Sequence, residues 1–462
     1  MSVSTVLLIL IAMTVLGFIG GRKRSHAMAE NSGGIRSLNS LPDHYGFYTA
    51  LWCGLPAILL LFGWKVVEPN IVASMVVADL PAEVREQEPA RLGLFMNDVK
   101  NLVAGNVITG QASDSVRTAA DQYTRLLARS AWLRTIVTVS LAILGLILGY
   151  RFVHPDLRAR NRVESVMTVG LIACSTIAIF TTVGIVLSVV YESIRFFQQV
   201  PITDFLFGLD WSPQTALRSD QVGSSGAFGA VPLFAGTALI ALIAMLVAAP
   251  IGLMTAIYLS EYAPLGLRTI AKPLLEILAG IPTVVYGFFA ARTVAPSIRG
   301  FGESRGLSVA SESALAAGAV MGIMIIPFVS SLSDDVINAV PQAMRDGSYG
   351  LGATKSETIK QVIIPAALPG IVGGMLLAVS RAIGETMIVV MAAGLAANLT
   401  WNPLEAVTTV TVQIVTLLVG DQEFDSPKTL SAFALGLVLF VVTLVLNIIA
   451  LHVVRKYREQ YD

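Results

Sequence analysis

An all-α polytopic membrane protein is predicted by three observations. Apolar residues make up 55% of the 462 and charged residues only 13%, about half the charged fraction usual in soluble domains. Mean hydropathy is +0.73. The apolar residues fall in runs of roughly twenty, the length at which a helix crosses a bilayer core of about 30 Å. Formal net charge is zero, so no basic surface points to nucleic acid. The four His are scattered and form no metal-ligand spacing with the two Cys. Cys53 and Cys174 lie inside apolar runs and are expected as buried free thiols.

Nine spans are expected. The first covers about 3–20 and is followed by Gly21-Arg22-Lys23-Arg24. A signal peptide places its basic residues before the apolar run, so this reads as an uncleaved span with its N-terminus outside. A polar linker at 25–46 leads to span two at 47–67, so 1–67 forms two N-terminal spans with a cytoplasmic linker. Residues 68–130 turn polar, with helical segments near 81–104 and 111–130, and read as a small helical periplasmic domain. Span three (132–150) and a loop with four Arg (151–162) complete 131–162. The remaining 163–462 carries six spans, at about 163–191, 233–259, 273–295, 313–333, 368–396 and 430–453. Pro250 and Pro282 are expected to kink their spans.

Charge supports this threading. With the N-terminus outside, the cytoplasmic segments are 21–46, 151–162, 261–272, 341–365 and 454–462. They hold sixteen Lys plus Arg, against four in the short outer loops 196–231, 296–311 and 397–429. That is the positive-inside bias, and it leaves the C-terminus cytoplasmic.

The threading also places Asp346 to Pro365 in the cytoplasm. Here Asp346, Gly347 and Ser348 are followed after three residues by Gly352, and after nine more by Val362, Ile364 and Pro365. The physical reading is a short helix, a turn and a second short helix. Small residues let the first helix lie flush in a partner's groove. Gly352 permits the positive φ of a sharp turn, and Pro365 ends the second helix where the chain re-enters the membrane. The spacing resembles the coupling loop of ABC-importer permeases. Asp-Gly-Ser stands for the usual acid-Ala-Ala, and Val362 for the usual Ile.

From about residue 163 onward the chain resembles the permeases of the bacterial phosphate-specific transport (Pst) system. The residues that carry the resemblance are SEYAPLGLR (Ser260 to Arg268), EILAGIPTVVYG (Glu276 to Gly287), Leu351 to Ile371, and SRAIGETMIV (Ser380 to Val389). FLFGLDWSP (Phe205 to Pro213) resembles the C-type rather than the A-type subunit. The resemblance implies a six-span type I ABC-importer permease core in a bacterial inner membrane, preceded here by three extra spans and the small periplasmic domain. It implies an A-type permease partner, two ATP-binding subunits and a periplasmic phosphate-binding protein, in membrane lipid. Shorter members of the family lack the extension 1–162.

Arg381 and Glu385 lie inside the expected span 368–396. A charge near the bilayer centre costs roughly 2.5–3.5 kcal/mol on insertion scales and usually faces a polar pathway or a partner. Four residues apart on one helix, the two would share a face and pair. Gly370, Gly374, Ala378 and Gly384 near that face allow close approach and leave room for a conduit. An arginine can give two parallel hydrogen bonds to a phosphate. Arg381 is therefore expected to receive the oxyanion and Glu385 to hold it in place; a purely structural pair is the alternative. Glu276 is expected to pair with Lys272, and Asp334 and Asp335 to be solvated. Arg292 and Glu192 sit near outer span ends, where snorkelling suffices. No G-x4-G-K-[ST] run occurs, so the chain is expected to be no enzyme, with ATP hydrolysis left to partner subunits and no cofactor of its own. A permease for another oxyanion such as molybdate or sulfate, or an ion-driven secondary transporter, are the competing readings.

Overall fold

The computed structural model describes residues 1–31, 34–81, 85, 89–105, 114–214, 226–419 and 425–457. Parts of the segments expected at 81–104 and 111–130, and of the loop at 397–429, lie outside the described residues. Eight helices are long and apolar enough to cross a membrane among the described residues, and a bent helix pair makes a possible ninth. The protein is an all-α polytopic membrane protein, and its described sheet is one pair of two-residue strands. Two compact units divide it, residues 1–180 and 181–462.

The first unit is built on α1 (Val3–Asn31), α2 (Pro42–Ala78) and α4 (Asp114–Arg151). Small residues set their spacing. A Cβ on Gly145 of α4 would sit 2.0 Å from the Trp52 carbonyl oxygen, and one on Gly21 of α1 2.6 Å from that of Tyr45. Close backbone approach of this kind is how helices pack where lipid supplies no hydrophobic drive. Both α2 and α4 run past the expected span ends at 67 and 132 as unbroken helices. Their extended ends meet α3 (Pro89–Ala104) in an apolar cluster that includes Val72, Val76, Val99 and Tyr123. Among its described residues, the polar stretch 68–130 is helical continuation plus the helix α3.

A buried ion pair joins α2 to α4 below that cluster. Arg134 Nη1 lies 2.9 Å from Glu68 Oε2, with side-chain exposures of 5% and 2%. Ser130 Oγ donates to Glu68 Oε1 at 2.6 Å, and Trp64 Nε1 donates to Ser130 Oγ at 3.0 Å. Removing one partner of such a pair strands the other charge, at a cost of about 3–5 kcal/mol. Glu68→Ala should therefore lower the thermal unfolding midpoint of the detergent-purified protein sharply, while Glu68→Met with Arg134→Met should restore most of it. An unshifted midpoint in the single variant would mean that the pair does not hold α2 to α4.

Helix α5 (Ala159–Phe197) carries the boundary between the units. Its residues 164–185 are all exposed. Cys174 is therefore exposed rather than buried, whereas Cys53 is buried as expected. An apolar run on a membrane helix can face lipid or a partner, so apolarity alone does not fix burial.

In the second unit, α6 (Val231–Ile257) and α10 (Ala314–Asn338) form the central pair. Gly318, Gly322 and Gly252 each leave less than 3 Å for a Cβ against Ile243, Val247 and Val329. Ser313 caps α10 by accepting from Ala316 N. Between them in sequence, α7 (Leu265–Gly280) and the run from α8 (Thr283–Phe289) through a π-helical turn to α9 (Ala295–Glu303) meet at an 86° bend. Pro282 does more than kink this span. It lacks an N–H and drives Ile281 to extended backbone (φ −67°, ψ 129°), and Tyr286 Oη donates across the break to Leu278 O at 2.8 Å.

The segment Phe205 to Pro213 folds on itself. Trp211 and Ser212 (β1) pair antiparallel with Phe228 and Ala227 (β2). Phe196, Phe205 and Phe228 pack edge to face, and Trp211 Nε1 donates to Gln413 Oε1 at 3.1 Å. Gln413 lies on α14 (Val410–Leu418), ahead of the last helix, α15 (Pro427–Tyr457).

Candidate functional site

The expected helix–turn–helix stretch, which forms a hook, begins within α11 (Gln342–Gly350). Gly352 follows with φ +86°, a conformation that glycine takes without strain. Thr354 and Glu357 then form a capping box, with Thr354 N donating to Glu357 at 2.8 Å. One turn of helix (Lys355–Thr358) passes through a π-helical turn (Ile359–Ile363) into α12 (Ile364–Ile383). Pro365 therefore does not stop the helix. It sits in the first turn of α12, where its absent N–H costs little, and the wider π turn precedes it.

Which face of α11 is free follows from its partners. Asp346, Gly347, Gly350 and Leu351 are exposed, Leu351 at 92%. Nothing lies within 4 Å of a Cβ placed on Gly347. Ser348 turns inward and shares a 2.9 Å hydrogen bond with Thr358 Oγ1. The apolar seat under the hook is Ile359, Ile363, Ala367 and Ile371 against Ala256 and Ile337; Val362 and Ile364 are half-buried beside it.

Arg345, which the sequence reading passed over, fastens α11 to the unit. Its guanidinium is paired with Glu261 and donates to Ile337 O at 2.8 Å. The two side chains are 12% and 7% exposed. Glu261 stands in SEYAPLGLR, so the resemblance marked its segment without giving its role. Its neighbour Ser260 donates to Asn338 Oδ1 at 3.1 Å. Asn338 Nδ2 donates to Asp334 Oδ1 at 2.9 Å. Asp334 Oδ2 accepts from Lys272 Nζ at 2.9 Å, and Oδ1 from Arg268 Nη2 at 3.5 Å. A polar chain thus runs from the hook to α7.

Two expectations change here. Asp334 is not a solvated loop charge: its side chain is 7% exposed, inside α10, while Asp335 is exposed. Lys272 pairs with Asp334 rather than with Glu276, because α7 packs against α10. Glu276 instead lines a cavity of about 290 Å³, together with Arg268, Lys272, Asp334, Phe328 and Arg381.

Arg381 is on the last turn of α12, exposed, with its guanidinium 5.5 Å from the centroid of the Phe328 ring. Among the described residues it has no carboxylate partner. The expected pair with Glu385 does not form, because the span breaks at Gly384 and resumes as α13 (Met387–Ala392). Glu385 Oε1 accepts from Met387 N at 3.1 Å and Ile388 N at 3.4 Å, so it caps α13. Its own carbonyl accepts from Thr411 Oγ1 at 2.9 Å. Gly384 occupies the break. Gly370 and Gly374 serve close approach, facing Val336 and Leu332 of α10.

Residues 7–181 match the family described as Phosphate ATP-binding cassette transporter. Residues 248–459 match that described as Binding-protein-dependent transport system inner membrane component. The chain is 33% identical over 273 residues to the probable ABC transporter permease protein YqgH of Bacillus subtilis, covering 59% of this chain and 84% of that protein. It is 33% identical over 270 residues to the phosphate transport system permease protein PstC of Mesorhizobium japonicum, covering 54% and 78%. The phosphate transport system permease protein PstC 1 of Mycobacterium tuberculosis is 31% identical over 277 residues, covering 54% and 81%. A solved structure of the MetNI methionine ABC transporter in an inward-facing conformation aligns at TM-score 0.38 and 16% identity, over 50% of this chain and 95% of that one. The chain belongs to the family of phosphate-transport permease subunits of ABC transporters. Residues 7–181, which hold the extension, have a family description of their own.

Arg345→Ala should strand the buried Glu261 carboxylate at a cost of about 3–5 kcal/mol. Arg345→Ala with Glu261→Gln should recover part of that loss. Limited proteolysis of α11 measures it: cleavage should rise at least tenfold in the single variant, and unchanged cleavage would mean that Arg345 does not hold the hook.

Proposed function

We propose that this chain is the C-type permease subunit of an ATP-driven importer of inorganic phosphate. It would form the translocation path with an A-type permease, receive phosphate from a periplasmic binding protein, and take its drive from two ATP-binding subunits. ATP hydrolysis belongs to those subunits and not to this chain. The observation that carries the reading is the cavity holding Arg268, Lys272 and Arg381, linked by side-chain hydrogen bonds to the seat of α11. Three cations against the carboxylates of Asp334 and Glu276 leave a net positive charge for an oxyanion.

Arg381 is its first recipient. It is exposed, has free donors, and lies on a wall where its hydrogen bonds would be strengthened by the low-dielectric surroundings. Glu385 acts through the backbone. By capping α13 it fixes the break at Gly384, and so the place where Arg381 stands. The exposed face of Asp346, Gly347 and Leu351 is the docking face for an ATP-binding subunit, and Gly352, Val362, Ile364 and Pro365 shape the return to the membrane. Closure of the ATP-binding pair would move α11 as a rigid piece and switch access between the two sides. In this reading the membrane is the bacterial inner membrane, the N-terminus outside and the C-terminus cytoplasmic. The organisation is two spans and a linker at 1–67, a periplasmic helical part at 68–130, a span and basic loop at 131–162, and the permease core at 163–462 with its coupling loop at 341–365.

Two substitutions test this. Arg381→Ala should cut uptake of radiolabelled phosphate at least a hundredfold while the complex still co-purifies with its ATP-binding subunits; normal uptake would remove Arg381 from the path. Gly347→Trp should abolish co-purification, since it fills the docking face without touching the interior. A complex that survives it would place the ATP-binding subunit elsewhere.

A further inference from the structure

The carboxylate of Asp334 is buried behind Arg268 and Lys272, while those two cations are 31% and 39% exposed on the cavity wall. Here Lys272 spends one of three donors on Asp334, and Arg268 gives one long contact of 3.5 Å out of five. The geometry of the second is at the limit of a hydrogen bond. Both cations therefore keep donors that Asp334 does not take, and both line the 290 Å³ cavity. Phe328, on which Arg381 rests, is six residues from Asp334 along α10. That is roughly 9 Å of helix rise, so the pair lies beyond Arg381 on the side nearer the hook.

We propose that Arg268 and Lys272 form a second oxyanion position within the cavity that Arg381 also lines, in which Asp334 is a resident carboxylate that competes with the transported tetrahedral ion and drives its release. This rests on the phosphate-importer reading. With no ion present, Asp334 offsets part of the positive charge of the two cations while leaving most of their donors unused. An arriving phosphate takes their spare donors, and Asp334 limits how tightly they hold it. Asn338 ties Asp334 to Ser260, next to the Glu261 that Arg345 grips. Movement of α11 would therefore reach this carboxylate through two side-chain hydrogen bonds.

The test is equilibrium retention of radiolabelled phosphate by the whole purified complex, without the soluble binding protein, in phosphatidylcholine nanodiscs. Asp334→Asn should tighten retention about tenfold and slow turnover, and Lys272→Gln should weaken retention about tenfold, each change matching one charge-assisted hydrogen bond. Asp334→Glu should return both quantities toward the unsubstituted complex. Should Asp334→Asn fail to assemble, Lys272→Gln alone decides, because Arg268 still neutralises Asp334 in it. Retention within twofold of the unsubstituted complex in every variant that assembles would overturn the site. Loss of phosphate retention when anionic lipid is added would overturn it too, by showing the cations to be headgroup ligands. If the unsubstituted complex carries sulfate and not phosphate, yet the variants shift sulfate retention in these directions, the site stands and the phosphate reading falls. If it carries phosphate and the variants shift nothing, the reverse holds.

Discussion

The second unit depends on how Arg345 is held. A guanidinium on a short surface helix reaches inward to a buried glutamate and to the Ile337 carbonyl near the end of α10. Breaking such a contact leaves a charge stranded in apolar surroundings, so the helix cannot drift while the unit stays folded. The hook is consequently a rigid extension of α10 and of the turn after α6, and not a loose loop. The neighbouring serine, asparagine and aspartate continue the connection to α7. A push on α11 has a defined place to go.

Breaks in helices set the rest of the geometry. The span after α6 turns by 86° at Gly280 to Pro282. The span that carries Arg381 stops at Gly384, and Glu385 is spent on capping the helix that follows. These interruptions separate the two charges that a straight helix would pair, and among the described residues they leave the arginine without a carboxylate partner. Non-helical backbone at membrane depth is tolerated where protein covers it or where it lines a cavity, and Thr411 covers this one by donating to the Glu385 carbonyl.

Much of this was legible in the residues. Runs of about twenty apolar residues located the spans, and the glycine with positive φ was marked by its place between two helical stretches. Ser313 lay where the expected seventh span began. The partners of charges were not legible. Lys272 and Glu276 had helical spacing, and so had Arg381 and Glu385, but the first lysine found an aspartate on another helix and the second pair straddled a break. Spacing along one helix says nothing about what packs across from it. The same limit made Asp334 look solvated and Cys174 look buried. Helical continuity was over-read at Gly384 and under-read at Pro365, because a membrane helix can run on past a proline, as α6 does at Pro250 and α10 at Pro327.

The extension has its own physics, with close-packed glycines and a buried Glu68–Arg134 pair, and the family descriptions assign it and the core separately. What joins the account is the side of the membrane on which the hook lies. Ser356 is exposed on the turn after Gly352. A Ser356→Cys variant made in a Cys174→Ser background can be treated with a membrane-impermeant maleimide in sealed cells and in inverted vesicles. Labelling confined to inverted vesicles is the predicted result. Labelling in sealed cells would contradict a cytoplasmic hook, and with it any drive from an ATP-binding subunit through α11.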